Sequence, residues 1–151
     1  MTFEHAVEIA ASAGRLFNLT QDYQRRLLWD PFLRSAVLLN GAVRADIGVR
    51  ALCVSHRGWS METKYVSFHP PRVSAIRMTR GPWIVRAFAG SWRFEPIGVQ
   101  QTRVIFTYSL STRPRMLSWL LTPLIGRLFA REMRKRLSGL KQFVEVTNPI
   151  N

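Results

Sequence analysis

The sequence predicts an α+β fold: a curved seven-stranded antiparallel sheet around one long C-terminal helix, with two short helices after the first strand. Three observations carry the prediction. Residues 3–111 contain seven segments in which apolar and polar side chains alternate with a period of two, as half-buried strands require. Six of these follow one another with only turn-forming residues between them, so they read as an antiparallel meander. Residues 113–146 then switch to a 3.6-residue period and carry more apolar surface than an ordinary surface helix. One face of such a sheet must be covered, and the terminal helix is the available cover.

The first strand is residues 3–9, with Phe3, His5, Val7 and Ile9 on one face. Ser12 can accept from the unpaired N–H groups of a first turn, so it caps a short helix through Leu16, Phe17 and Leu19 that ends near Asp22. A second short helix, residues 23–28, runs into Trp29-Asp30-Pro31, where the proline biases Asp30 away from helical geometry. Strands follow at residues 33–40, closed by Asn40-Gly41, and at 48–55, closed near Arg57-Gly58. Residues 59–68 set Trp59, Met61, Thr63 and Tyr65 against Ser60, Glu62 and Lys64, and His69-Pro70-Pro71 ends the run. The remaining strands are residues 73–79, 83–94 and 102–111, the last with Val104, Phe106, Tyr108 and Leu110 on one side. No repeat or linker divides the chain, so residues 1–151 are expected to form one domain.

In the terminal helix Leu117, Leu120, Leu121, Leu124 and Leu128 form one stripe, and Phe129, Met133, Leu137, Leu140 and Val144 form a second. At about 100° per residue the second is displaced by a quarter turn or more, so one straight helix cannot lay both on one surface. Thr122-Pro123, with Gly126 behind it, marks the break: threonine suits an N-cap, and proline's missing N–H is not needed in a first turn. The main helix is therefore expected to start near Pro123.

The chain is strongly basic. Its 22 Lys+Arg, 19 of them arginine, against 9 Asp+Glu give a net charge of +13, a field that attracts phosphate on nucleic acid, anionic lipid or an acidic ligand. The arginines are scattered singly, which disfavours a nucleic-acid arm. Only Arg127, Arg131, Arg134, Lys135, Arg136 and Lys141 cluster, and most of them lie opposite the second stripe, as a solvated face does. Residues 1–9 carry Glu4 and Glu8 and do not resemble a signal peptide, and the uncharged run 116–126 would cross about half a bilayer. A cytoplasmic, non-spanning protein is expected.

No catalytic or metal-binding constellation is legible. Cys53 is the single cysteine and reads as a small apolar strand residue. His5, His56 and His69 stand apart without metal-ligand spacing. Gly90-Ser91 lacks the second glycine of a nucleophile elbow. Asp30 before proline is read as fixing a turn rather than as a catalytic carboxylate. No cofactor is implied. By strand parity Trp59, Met61, Tyr65, Ile76, Met78, Phe88, Trp92, Phe94, Phe106 and Tyr108 face the helix, which meets them with Trp119, Leu120 and Phe129. These side chains either pack as solid core or line a cavity. Arg86 joins them if the alternation is unbroken, offering a guanidinium to a carboxylate or phosphate. A bulge at Ala89-Gly90 would turn it outward.

Phe17, Gln21-Asp22-Tyr23, Trp29-Asp30-Pro31, Pro70-Pro71, Gly90-Ser91-Trp92-Arg93-Phe94 and residues 137–145 together resemble the START-related SRPBCC superfamily of helix-grip proteins. Within it they look most like the polyketide cyclase/dehydrase-like branch. The resemblance implies binding of a hydrophobic small molecule or lipid, and with no catalytic constellation legible the expectation is a cavity between sheet and helix that holds such a ligand without catalysis. Its lining would be drawn from the parity set other than Phe94, together with Arg86 and the three helix residues just named. One alternative is a cyclase or dehydratase in which a tyrosine or arginine polarises a carbonyl. Another is a charge-driven binder of nucleic acid or an anionic membrane, with residues 116–121 and the cluster 127–141 as a membrane-facing lip.

Overall fold

The computed structural model describes residues 1–147. Its elements run β1 (Thr2–Ile9), α1 (Ala13–Gln21), α2 (Arg26–Trp29), β2 (Leu33–Leu38), β3 (Arg50–Ser55), β4 (Ser60–His69), β5 (Val73–Arg80), β6 (Val85–Gly98) and β7 (Gln101–Thr112). A single 3-10 turn (Arg115–Leu117) leads into α3 (Ser118–Thr147). The strands form one antiparallel sheet in the order β1-β7-β6-β5-β4-β3-β2. The first strand therefore lies beside the last. The two short helices carry the chain to the opposite edge, and successive hairpins return it.

Period-two patterning becomes burial as expected. In β1 the residues Phe3, His5, Val7 and Ile9 turn inward while Glu4, Ala6 and Glu8 face out. The register pairs Trp92 with Phe106 and Phe94 with Val104, which sets large side chains side by side on the concave face of β6 and β7. Ser12 caps α1 from an extended backbone, accepting the Arg15 N–H at 3.3 Å. The second helix is shorter than the sequence suggests. The Asp22 carboxylate accepts the Gln24 N–H at 3.0 Å and Arg25 Nε at 2.9 Å, which holds residues 22–25 in a turn and delays the helix to Arg26. Asp30 ends it at φ −91°, ψ 104°, the extended geometry that Pro31 favours. Asn40 and Gly41 adopt φ of 58° and 73°, the left-handed region where asparagine and glycine are tolerated, and turn the chain out of β2.

The terminal helix departs from expectation. It starts at Ser118, and Pro123 lies inside it. Proline deletes one intrahelical bond, the one to the Trp119 carbonyl, and this falls in the exposed first turn, where water can replace it. The break is thus not a new helix start but a division of labour along one helix. The second stripe is buried: Met133, Leu137, Leu140 and Val144 seal one end of the sheet together with Ile9, Phe17, Phe94 and Val104. Each such side chain contributes about 1.5–3 kcal/mol by leaving water. The first stripe stays largely in solvent, with Leu117, Leu120, Leu124 and Leu128 exposed. The helix is held close above β1 and β7 by small groups: Gly126 abuts the Phe3 ring, Thr112 and Thr122 share a hydroxyl hydrogen bond of 2.8 Å, and Tyr108 Oη donates to the Gly126 carbonyl at 3.0 Å. No helix among the described residues is long and apolar enough to cross a membrane.

Candidate functional site

One end of the grip is packed solid and the other is hollow. Between the concave sheet and α3 lies a cavity of about 430 Å3. Its apolar wall includes Ile76, Phe88, Trp92 and Phe106 from the sheet and Ile125 and Phe129 from the helix. The rings brace one another, Trp92 and Phe106 with centroids 4.9 Å apart and Phe88 and Phe129 at 5.5 Å, so the wall is preformed.

Of the thirteen side chains expected at the site, Trp59, Met61, Tyr65, Ile76, Phe88, Trp92, Phe106 and Phe129 line the cavity. Trp59 is half exposed among its lining. The other five lie elsewhere. Met78 packs against the core beside Gly81. Tyr108 is wholly buried under α3, its hydroxyl spent on Gly126. Trp119 and Leu120 lie in the exposed first turns of α3, because the helix begins before Pro123 and projects that segment past the sheet. Arg86 faces solvent, its Nε 3.4 Å from Ser111 Oγ. The register of β6 on β7 slips between Val85 and Ala87, so the bulge falls at Arg86 itself rather than at Ala89-Gly90, and the inward parity resumes at Phe88.

Apart from Tyr65, the polar end of the cavity was not expected from the sequence. Here Gln21 ends α1 and Tyr23 follows it, Arg26 belongs to α2, Cys53 and Tyr65 come from the sheet, and Arg136 comes from α3. A hydrogen-bond chain runs through the wall. Tyr65 Oη donates to Gln21 Oε1 at 2.6 Å, Gln21 Nε2 donates to Thr20 Oγ1 at 2.9 Å, and Thr20 Oγ1 donates to the Phe17 carbonyl at 3.1 Å. Since the Tyr65 proton is committed, Tyr23 is the donor across the 3.2 Å contact between the two phenols. Burial raises the pKa of both tyrosines and of the Cys53 thiol, so all three are neutral near pH 7.

Behind the phenols, two guanidiniums share one carboxylate. Arg26 Nε donates to Asp30 Oδ2 at 2.9 Å and Arg26 Nη1 to the Thr20 carbonyl at 3.0 Å. Arg136 Nε lies 3.0 Å from the same Asp30 oxygen but is not aligned to hydrogen-bond with it. Asp30 Oδ1 is taken by the Phe32 N–H at 3.0 Å. Burial alone would raise the Asp30 carboxyl, but Arg136 and Arg26 outweigh it and hold its pKa below the ordinary value. Gly139 makes the cluster possible: a Cβ there would stand 2.8 Å from the Trp29 carbonyl oxygen and 2.9 Å from Pro31 Cδ, so only glycine lets the Asp30 turn lie against α3. The sequence did hold a signal for Arg136, which falls at the i+3 position from Met133 and four before Leu140, on the buried stripe.

A family described as polyketide cyclase / dehydrase and lipid transport matches residues 1–145. Among solved structures the fold is similar to a protein from Thermus thermophilus, with a TM-score of 0.80 and 18% identity over 98% of this chain and 99% of that one. It is similar to the Zhui aromatase/cyclase from a Streptomyces species, with a TM-score of 0.75 and 17% identity over 98% of each chain. A START superfamily protein from Mycobacterium smegmatis gives a TM-score of 0.74 and 14% identity over 93% of this chain and 97% of that one. No curated protein matches in sequence. The structural likenesses establish a helix-grip fold, and the family match spans nearly the whole chain: the protein belongs to the polyketide cyclase / dehydrase and lipid transport family.

Proposed function

We propose that the protein binds one hydrophobic small molecule or lipid in this cavity and holds it without chemical change. The observation that carries the reading is the cavity itself, about 430 Å3 behind a preformed aromatic wall, within the usual range for small-molecule sites. The neutral state of Tyr23, Tyr65 and Cys53 supports holding over reacting, because none is poised as a nucleophile or base near neutral pH. The test is titration with N-phenyl-1-naphthylamine, an uncharged fluorophore. Saturable one-to-one enhancement is expected, abolished in Ile76→Trp, whose indole occupies the cavity. Unsaturable enhancement, or equal enhancement in the variant, overturns the reading. Native mass spectrometry of freshly purified protein then identifies the cargo.

A second reading, a cyclase or dehydratase, is favoured by the buried Arg136 guanidinium at one end of an aromatic cavity, where it can hold a carbonyl oxygen. Turnover of a poly-β-keto thioester, lost in Arg136→Met, would establish it. Peripheral contact with an anionic membrane accompanies either reading. It is supported by the apolar residues Met116, Trp119, Leu124 and Leu128, which are exposed beside Arg115, Arg127 and Arg131.

A further inference from the structure

The charge in the cavity wall does not balance. Arg26, Arg136 and Asp30 are 6%, 7% and 2% exposed, so two full positive charges are buried against one negative. A buried charge without a partner costs several kcal/mol, which is why such groups are normally paired. The two arginines are also unequally placed. Arg26 is committed, through Nε to Asp30 and Nη1 to the Thr20 carbonyl, and it lies over the Trp29 ring at 5.0 Å. Arg136 is held less well. Its Nε lies 3.0 Å from the Asp30 oxygen that already accepts from Arg26 but is not aligned to hydrogen-bond with it, and Nη1 reaches only Met133 Sδ at 3.6 Å. Aromatic faces, Phe32 at 5.1 Å and Phe106 at 5.8 Å, offset part of its charge but supply no acceptor. Burial accordingly presses the Arg136 guanidinium below its ordinary pKa, whereas in Arg26 burial is outweighed by Asp30 together with Tyr23 and Cys53.

Arg136 lines the cavity, so the missing acceptor is one that a ligand can bring. The excess is one charge, which a monoanion neutralises. The planar guanidinium fork matches a carboxylate. The route in is also basic: Arg57, Arg131 and Lys135 are exposed among the cavity's lining, with Glu132 lying 4.0 Å from Arg57 and 3.8 Å from Lys135 as the acid among them. Resting on the cavity-binding reading above, we propose that the ligand is an apolar monocarboxylic acid whose carboxylate seats against Arg136, while Arg26 serves as the fixed partner of Asp30.

Displacement of N-phenyl-1-naphthylamine by matched pairs tests this: 2-naphthylacetate against 2-naphthylacetamide, and decanoate against decanamide, at pH 7.5. The acid of each pair should bind at least tenfold more tightly to the wild type. In Arg136→Met the amides should stay within about twofold and the acids should fall to the amide level. The empty variant should melt at or above the wild-type temperature, because the substitution removes an uncompensated charge and leaves Arg26 and Asp30 as a neutral pair. Acid and amide binding alike to the wild type overturn the anion anchor while leaving cavity binding intact. An acid preference that survives Arg136→Met does the same. A variant that melts lower and keeps its acid preference assigns Arg136 to structure only. Failure of every probe, the fluorophore included, removes the cavity reading and this inference with it.

Discussion

Replacing Gly139 by alanine tests how closely the Trp29–Pro31 turn must lie on α3. The added Cβ would stand 2.8 Å from a backbone carbonyl oxygen and 2.9 Å from a proline ring carbon, against ordinary contacts of about 3.5–4.0 Å. Neither group can rotate away, so the turn has to move. Overpacking costs about 1–3 kcal/mol, and rigid neighbours place this case at the upper end. Alanine's better helix propensity returns about 1 kcal/mol. Sterics win, and a net loss of about 2 kcal/mol is expected, which lowers a urea midpoint by about 1 M at an m-value near 2 kcal/mol/M. Gly14 in α1 is the control, since a Cβ there meets nothing within 4 Å. Gly14→Ala should raise the midpoint by up to about 1 kcal/mol equivalent. A Gly139→Ala midpoint at or above wild type, or shifts of the same sign in both variants, would refute the claim that this glycine sets the approach.

Other perturbations follow from the same contacts. The Asp30 carboxyl is held below its ordinary 3.8 in the folded protein, so it contributes stability that is complete above that pH and is lost as the pH falls further. Asp30→Asn should therefore unfold at lower urea than wild type at pH 6, with the gap narrowing below about pH 4; a pH-independent gap contradicts this. Tyr65→Phe leaves Gln21 Oε1 without its donor and should cost about 1–3 kcal/mol in thermal unfolding, so an unchanged melting temperature would mean that the hydrogen-bond chain does not form in solution. Arg86→Gln should leave fluorophore and acid binding unaltered, because Arg86 is outside the cavity; a loss of acid preference would return it to the site. Trp119, 73% exposed, should dip into a membrane interface: co-sedimentation with anionic vesicles is expected, weakening with salt and further in Trp119→Ala, and equal binding to neutral vesicles would argue against it.

The parts of this molecule that repeat were the parts legible in the sequence. Six hairpin-linked strands and the buried stripe through Met133, Leu137, Leu140 and Val144 follow from periodicity, because each position shares its environment with those two or four residues away. Seven cavity residues follow from strand parity in the same way, and Phe129 follows from the helical stripe. What escaped was set by single contacts. Arg86 is turned outward by one extra residue in β6, and no residue at the bulge signals its place. The polar end draws on α1, α2, the sheet and α3, so no local pattern contains it. Arg26 looks in sequence like any of the 19 arginines, and Arg136, although spaced with the buried stripe, sits in a run of basic residues whose neighbours Arg134 and Lys135 are in solvent.

The place of β1 beside β7 has a kinetic meaning. Its pairs join residues 93 apart, Ile9 with Thr102, to 107 apart, Thr2 with Ser109. The tie to α3 is longer still: the Ala10 N–H donates to Glu145 Oε1 and Lys141 Nζ donates to the Glu8 carbonyl, across 135 and 133 residues. A nascent chain leaving the ribosome therefore exposes its first strand while every partner of that strand is unmade. The hairpins from β2 to β7 can close locally as they emerge, but the sheet gains its β1 edge only after β7 is synthesised, and the grip closes only with α3. Loop closure of that length places this step among the slow events of folding. The alternating acids Glu4 and Glu8 on the outer face of β1 are then well placed to keep the waiting strand from pairing with another copy.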